Sequence, residues 1–195
     1  CAERVYVDKA IKETFMEKLV AGMKQVKVGN PNEVADLDMG PLIEASALES
    51  MEKKVERAIQ QGARLLCGGH RIGTKGYFFE PTVLDCVTQK MVIIQQETFG
   101  PILPVVEYSD INDAIAWAND CEYGLTSSVY TQNLDNAFKV MRSLKFGETY
   151  INRENFEAMQ GFHAGWRKSG IGGADGKHGL EEYLQTQVVY LETKE

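Results

Sequence analysis

The chain has 195 residues, 44% of them hydrophobic and 25% charged, with a formal net charge of −7. That composition belongs to an ordinary globular protein long enough to bury a core, and its acidic balance argues against a nucleic-acid partner. No run approaches the 18 apolar residues of a membrane span, and the four cysteines (Cys1, Cys67, Cys86, Cys121) lack metal-ligand spacing, so neither membrane nor metal is expected and a reduced, cytoplasmic setting is the simplest reading.

Val5-Tyr6-Val7 is an apolar β segment that opens where natural termini are usually polar and loose. With no initiator Met and no signal peptide ahead of it, the chain is read as the C-terminal part of a longer protein. Ile11, Phe15, Leu19, Met23 and Val26 recur at spacings of three and four, predicting an amphipathic helix within 8–27. Gly29-Asn30-Pro31 stops it, and Gly40-Pro41-Leu42-Ile43 punctuates the following loop. Leu48, Met51, Val55 and Ile59 mark one face of a second helix that Gly62 closes as a C-cap. Lys53, Lys54 and Arg57 read as its solvated face.

Arg64–Cys67 reads as a strand turning at Gly68-Gly69, and 78–84 as extended, with Pro81 at an edge or a strand start. Residues 102–106 form an apolar strand. Asp110 caps a helix through Ile111, Ala114, Ile115 and Ala118. A strand over 125–130, a helix over 134–144, a strand over 148–152, a helix near 175–184 and an apolar strand over 188–191 complete the chain. Cys67, Cys86 and Cys121 read as small core hydrophobes. This alternation implies an α/β fold, a parallel-rich sheet with helices on both faces.

Three stretches break the pattern. Gln95-Gln96-Glu97-Thr98-Phe99-Gly100-Pro101 puts a carboxylate at a rigid Gly-Pro corner just before a buried strand. It reads either as a surface turn with a solvated Glu or as an acceptor for ribose hydroxyls at a strand end, where ligands of open α/β sheets collect. Residues 152–173 carry little regular pattern but many aromatic and polar groups, among them Phe156, Glu157, Met159, Phe162, His163 and Trp166. Long irregular segments in compact domains are usually functional or mobile. Glu157 and His163 flanked by aromatics suit a small polar substrate, although His163 as a satisfied core histidine is an equal alternative. Ser169-Gly170-Ile171-Gly172-Gly173 lacks the full G-x-G-x-x-G and a preceding strand, so it reads as a structural glycine corner.

The ordered set Gly29-Asn30-Pro31, Gly40-Pro41-Leu42-Ile43, Gly76-Tyr77-Phe78, Pro81-Thr82-Val83, Glu97-Thr98-Phe99-Gly100-Pro101, Asn119 with Tyr123-Gly124-Leu125, Asn152 and Lys168-Ser169-Gly170 resembles the aldehyde dehydrogenase superfamily along the whole chain. Residues 147–157 and 161–170 are similar to its lactaldehyde/glycolaldehyde dehydrogenase branch. The resemblance implies NAD(P)-dependent oxidation of an aldehyde: a Cys thiolate attacks the carbonyl, hydride leaves for the nicotinamide, and a Glu base directs water onto the thioester. Cysteine suits the task because its thiolate is both a good nucleophile and a good leaving group.

In the family the nucleophile stands five residues before an Arg that Arg4 matches. The nucleophile is therefore expected two positions ahead of Cys1, and no catalytic residue is expected within the chain, which alone should be inactive. The base, the dinucleotide-binding half and the oxyanion-holding Asn are likewise expected upstream, in a missing N-terminal half. Glu97 and Phe99 match the positions that hold the nicotinamide ribose and pack against the nicotinamide; the cofactor implied is NAD, with NADP not separated from it. Gln96 is given no catalytic role.

Glu157 and His163 stand where many relatives carry aromatics, and Phe162-His163-Ala164-Gly165 departs from the usual P-F-G-G. An acid and an imidazole there suit a small hydroxyaldehyde, with Phe156, Phe162 and Trp166 as the remaining walls. By the same resemblance, residues 1–184 form the catalytic domain and 185–195 an oligomerisation strand and tail, in a homodimer or homotetramer. Two alternatives stay open: a dehydrogenase of a semialdehyde or simple aliphatic aldehyde, and a non-catalytic assembly module.

Overall fold

The structure is a computed structural model, which describes residues 2–193. The expectations that fall on Cys1, Lys194 and Glu195 lie outside the described residues. The chain divides into two compact units, the first ending at Asp120 and the second beginning at Cys121.

The first unit is built on a four-stranded sheet. Its strands are β1 (Val5–Asp8), β2 (Arg64–Cys67), β3 (Thr82–Val87) and β4 (Ile102–Tyr108), in the order β1-β4-β3-β2. β4 pairs parallel with both β1 and β3, and β2 closes the edge antiparallel to β3. The helices are α1 (Lys12–Met23), α2 (Ala45–Gln60), the single turn α3 (Val92–Gln95) and α4 (Ile111–Asn119). Alternation along the strands sorts the two faces. Val7, Val83 and Val105 pack with Phe15, Met16, Leu19 and Val20 of α1. Leu84, Val87, Ile102 and Val106 pack on the other face with Leu48, Met51, Val55 and Ala58 of α2 and Ile93 and Ile94 of α3.

The expected α/β architecture with helices on both faces is therefore present, while element boundaries move. α1 is shorter than 8–27, since Ile11 is its exposed N-cap and Val26 lies beyond its end. In α2, Ala58 takes the buried position assigned to Ile59, which is exposed. The strand expected over 78–84 begins after Pro81 and runs on to Val87. Asp110 does cap α4, its Oδ1 accepting from Asn112 N at 2.8 Å, and Gly62 closes α2 at φ 104°.

Cys86 is an exposed, left-handed residue (φ 55°) in a bulge of β3, so the reading of it as a core hydrophobe does not hold; Cys67 is half-buried and packs against the α1-face core, and Cys121 is half-buried. The extra residue at the bulge leaves Leu84 and Val87 on the same face.

One carboxylate is buried on the α1 face. Asp85, 2% exposed, lies 3.0 Å from Lys12 Nζ through Oδ1 and 2.7 Å from Arg64 Nη2 through Oδ2, and Lys12 also reaches Glu107 at 3.1 Å. Burial alone pushes the Asp85 carboxyl up, but the Cys86 amide, Lys12 and Arg64 outweigh it and hold it below its ordinary value. The ionised group therefore adds stability above the unfolded-state pKa of about 4, and that contribution is lost as pH falls through the lower folded value. Asp85→Asn is expected to lower unfolding free energy at pH 7 by about 3 kcal/mol. The gap from wild type should close below about pH 4 when urea melts are compared across pH; a gap constant with pH would mean that the charge is not what stabilises.

The second unit pairs β5 (Thr126–Val129) parallel with β6 (Glu148–Ile151), joined through α5 (Leu134–Ser143). β7 (His163–Ala164) pairs antiparallel with β8 (Gly173–Ala174), and α6 (Gly176–Glu181) follows. The 152–173 stretch is thus less irregular than its sequence suggests, with a 3₁₀ turn at Arg167–Ser169 between the short strands. Ser169 Oγ accepts from Gly124 N at 2.9 Å, and a Cβ at Gly173 would run into His163 O of β7, so this corner packs closely against its neighbours. Residues 188–191 are exposed and form no strand with other described residues. No helix among the described residues is long and apolar enough to cross a membrane.

Candidate functional site

Two groups of side chains stand out, one in each unit. In the first unit, the loop from Gln96 to Pro101 leaves α3 and enters β4. Both its ends are held by backbone bonds: Gln96 N donates to Val92 O of α3 at 3.0 Å, and at the β4 end Thr82 N of β3 donates to Pro101 O at 2.8 Å. Thr98 is buried, whereas Glu97 and Phe99 point outward, Phe99 being 80% exposed. Phe99 sits at φ 49°, a left-handed conformation that costs a phenylalanine about 1 kcal/mol. Gly100 leaves room for Met51, whose Sδ would lie 2.2 Å from a Cβ at that position.

Two charged residues that the sequence did not mark hold this loop. Glu3 accepts from Thr98 N at 3.3 Å and from Phe99 N at 2.7 Å. Lys54 Nζ donates to Glu97 O at 2.6 Å and Thr98 O at 2.9 Å. Lys54 is half-buried, and that burial pulls its ammonium below the ordinary lysine value against the pull of Glu3 and Glu97. The solvated-face reading therefore fails for Lys54, whose chain turns back from α2 toward the loop. Lys53 and Arg57 line an open groove of about 380 Å³ between α2 and α3, which Gln96 also borders.

In the second unit, Glu148 and Tyr150 stand two residues apart on β6 and so share a face. Glu148 Oε2 accepts from Tyr150 Oη at 2.9 Å and lies 3.0 Å from His163 Nδ1. A carboxylate only accepts, so the imidazole proton on that side belongs to Nδ1, and in the neutral ring Nε2 is left as an acceptor. Burial, Glu148 and Glu157 push the Tyr150 phenol up to about 12, so it remains a donor to Glu148. Arg153 lies over the Tyr150 ring at 5.4 Å.

The structure thus brings His163 together with Glu148 and Tyr150, neither of which the sequence reading singled out; the i, i+2 spacing of an acid and a phenol on one strand was the available signal. Glu157 and Phe156 are exposed on the segment after β6, and Trp166 is half-exposed on that after β7. Phe162 turns toward α6, its ring 5.2 Å from His178, beside an open cavity of about 440 Å³ that Glu181, Glu182 and Leu184 also line.

Glu97 and Phe99 fit what a dinucleotide cofactor needs from a loop: a solvent-facing carboxylate able to accept from ribose hydroxyls, and an aromatic face held out by its backbone. Residues 1–189 match the family model described as the aldehyde dehydrogenase family. The chain belongs to the aldehyde dehydrogenase family. It is 63% identical over 193 residues to the lactaldehyde dehydrogenase of Escherichia coli (strain K12), covering 99% of this chain and 40% of that one. The crystal structure of lactaldehyde dehydrogenase from Escherichia coli superposes with a TM-score of 0.96 at 63% identity, over 99% of this chain and 40% of that chain.

Two further aldehyde dehydrogenase family folds carry cofactor names. A 3,6-anhydro-L-galactose dehydrogenase in complex with NAP matches with a TM-score of 0.90 and 43% identity, over 95% of this chain and 39% of that chain. An NAD+ complex of an aldehyde dehydrogenase from Bacillus cereus matches with a TM-score of 0.92 and 34% identity, over 98% and 39%. The chain spans about 40% of the length of the curated relatives it matches.

Proposed function

We propose that this chain is part of an NAD-dependent aldehyde dehydrogenase that oxidises a small hydroxyaldehyde such as lactaldehyde or glycolaldehyde to its hydroxy acid, with NADP as the alternative cofactor. The likeness to lactaldehyde dehydrogenase supports the reaction class. The observation that carries the substrate class is His163, whose Nδ1 is tied to Glu148 at 3.0 Å so that Nε2 is free to accept a hydrogen bond. A substrate hydroxyl is the donor that such a nitrogen asks for, and a propyl chain in its place leaves a polar group unpaired at a cost of about 1–3 kcal/mol. Glu157 offers a second acceptor, and Phe156 and Trp166 supply apolar walls, while Phe162, turned onto His178, is left out of them.

Glu97 accepts from the nicotinamide ribose and Phe99 packs against the nicotinamide side. The cofactor, when bound, supplies the hydride acceptor; the residues of this chain orient it and the aldehyde. The attacking thiolate and the general base belong to the part of the relatives' length that this chain does not span. In this reading residues 1–184 work as the catalytic domain, and 185–195 as a segment that pairs with another subunit in a cytoplasmic homo-oligomer.

The test is turnover by the polypeptide that carries this chain together with the rest of the family's length. Oxidation of lactaldehyde and glycolaldehyde should exceed that of propanal by about 10- to 100-fold in kcat/KM. Equal rates on propanal, or a preference for a semialdehyde, would transfer the assignment to the aliphatic or semialdehyde alternative. The non-catalytic alternative predicts no turnover at all.

A further inference from the structure

The sequence motif around Glu97 and Phe99 says which side chains face a cofactor, but nothing in it says what aims them. The structure holds three successive residues of that loop between two charges of opposite sign. The carboxylate of Glu3, just ahead of β1, takes the amide protons of Thr98 and Phe99 at 3.3 and 2.7 Å. The ammonium of Lys54, from the middle of α2, donates to the carbonyls of Glu97 and Thr98 at 2.6 and 2.9 Å. Each charge meets the end of the peptide dipole that it attracts, and both side chains are half-buried, where such bonds are stronger than in water.

We infer that Glu3 and Lys54 form a two-sided clamp that positions the cofactor-holding side chains of Glu97 and Phe99, an inference that rests on the cofactor reading of this loop. The geometry separates the roles of the two arms. Glu3 holds the amide of Phe99 itself, the residue whose left-handed backbone (φ 49°) sends its ring outward. Lys54 holds the carbonyl of Glu97, so it sets the direction from which that carboxylate leaves the chain. Neither charged group is needed merely to close the loop, whose ends are already held, at α3 by Gln96 N on Val92 O and at β3 by Thr82 N on Pro101 O. Gly100 packs on Met51 of the same helix that supplies Lys54, so α2 fixes both the height of the loop and its rotation.

The experiment compares Glu3→Ala, Glu3→Gln, Lys54→Met and Lys54→Arg with Glu97→Gln, in the polypeptide that carries this chain and the rest of the family's length. Cofactor Kd, aldehyde KM, kcat and Tm are read for each, with NAD and NADP as probes. Glu3→Ala and Lys54→Met are expected to weaken cofactor binding about tenfold, because a small misplacement of a positioned group is costly. Aldehyde KM should change less than about twofold, as uniform substrate binding is untouched. Glu3→Gln, which keeps one acceptor oxygen, should recover part of the loss, and Lys54→Arg likewise.

Two results overturn the clamp while sparing the cofactor reading: Glu97→Gln weakens the cofactor but Glu3→Ala and Lys54→Met do not, or those two lower Tm with aldehyde and cofactor constants shifting together and no rescue by Gln or Arg. If Glu97→Gln leaves cofactor affinity unchanged, the cofactor reading of the loop fails, and the positioning role fails with it.

Discussion

Gly147→Ala is expected to destabilise the second unit by about 3 kcal/mol or more, the range of severe overpacking. A Cβ at residue 147 would stand 1.5 Å from Ala164 O, a backbone atom of β7 that no side-chain rotation can clear. The glycine is held there, its amide donating to Gly124 O at 3.0 Å just before β6 begins. To admit a methyl, β7 must withdraw, and His163 goes with it, away from Glu148 on β6. The variant should therefore lose hydroxyaldehyde turnover as well as stability. Gly22→Ala is the control: nothing lies within 4 Å of a Cβ there, and an alanine in α1 should stabilise by about 0.5–1 kcal/mol. Thermal melts of both variants decide the matter, and a Gly147→Ala melt within a degree or two of wild type would refute the close approach of β6 and β7.

Replacing His163 by Phe is expected to lower kcat/KM for lactaldehyde by about 10- to 100-fold while changing propanal by only a few-fold, the asymmetry of a site that hydrogen-bonds a substrate hydroxyl. The phenyl ring keeps the volume and removes the acceptor, so a general loss of packing predicts equal falls for both aldehydes and would sink the proposal. Glu148→Leu should reproduce about a tenfold part of this selectivity loss without touching substrate, because the ring loses the partner that fixes which nitrogen bears the proton. Glu148→Gln retains an acceptor oxygen and should fall between wild type and Leu. Steady-state kinetics on the two aldehydes side by side separate these outcomes.

What the sequence made legible followed from periodicity. Leu48, Met51 and Val55 recur at helical spacing, and α2 buries that stripe; Asp110 announces a cap, and its side chain provides one. The same logic failed where a single residue breaks the count. Nothing local distinguishes Ala58 from Ile59 as the one to bury, since the larger residue looks the better core member until the helix phase is known. Cys86 reads as apolar yet lies outside the core, because a bulge is a property of two strands and not of one.

The candidate sites divide in the same way. Glu97, Phe99, Glu157 and His163 are marked by short motifs, which are local in sequence. Their supports are not local: Glu3 reaches Thr98 and Phe99 across some 95 positions, Lys54 reaches Glu97 across 43, and Glu148 lies 15 from His163. Long-range partners of this kind carry no periodic signature, and an exposed-looking lysine on a charge-laced helix gives no hint that its ammonium bonds two carbonyls.

The bulge in β3 also bears on how this strand can change over time. Val83 and Asp85 turn toward α1, Leu84 and Val87 toward α2, and Cys86 toward neither. Residue 86 is a spacer that shifts the reading phase of the strand by one. Its identity is therefore nearly free, with Gly, Asn or Asp suiting its backbone better than Cys does. Its presence is not free: losing one residue there would turn Val87 away from the core, so a deletion would do damage that no substitution at the same position could equal.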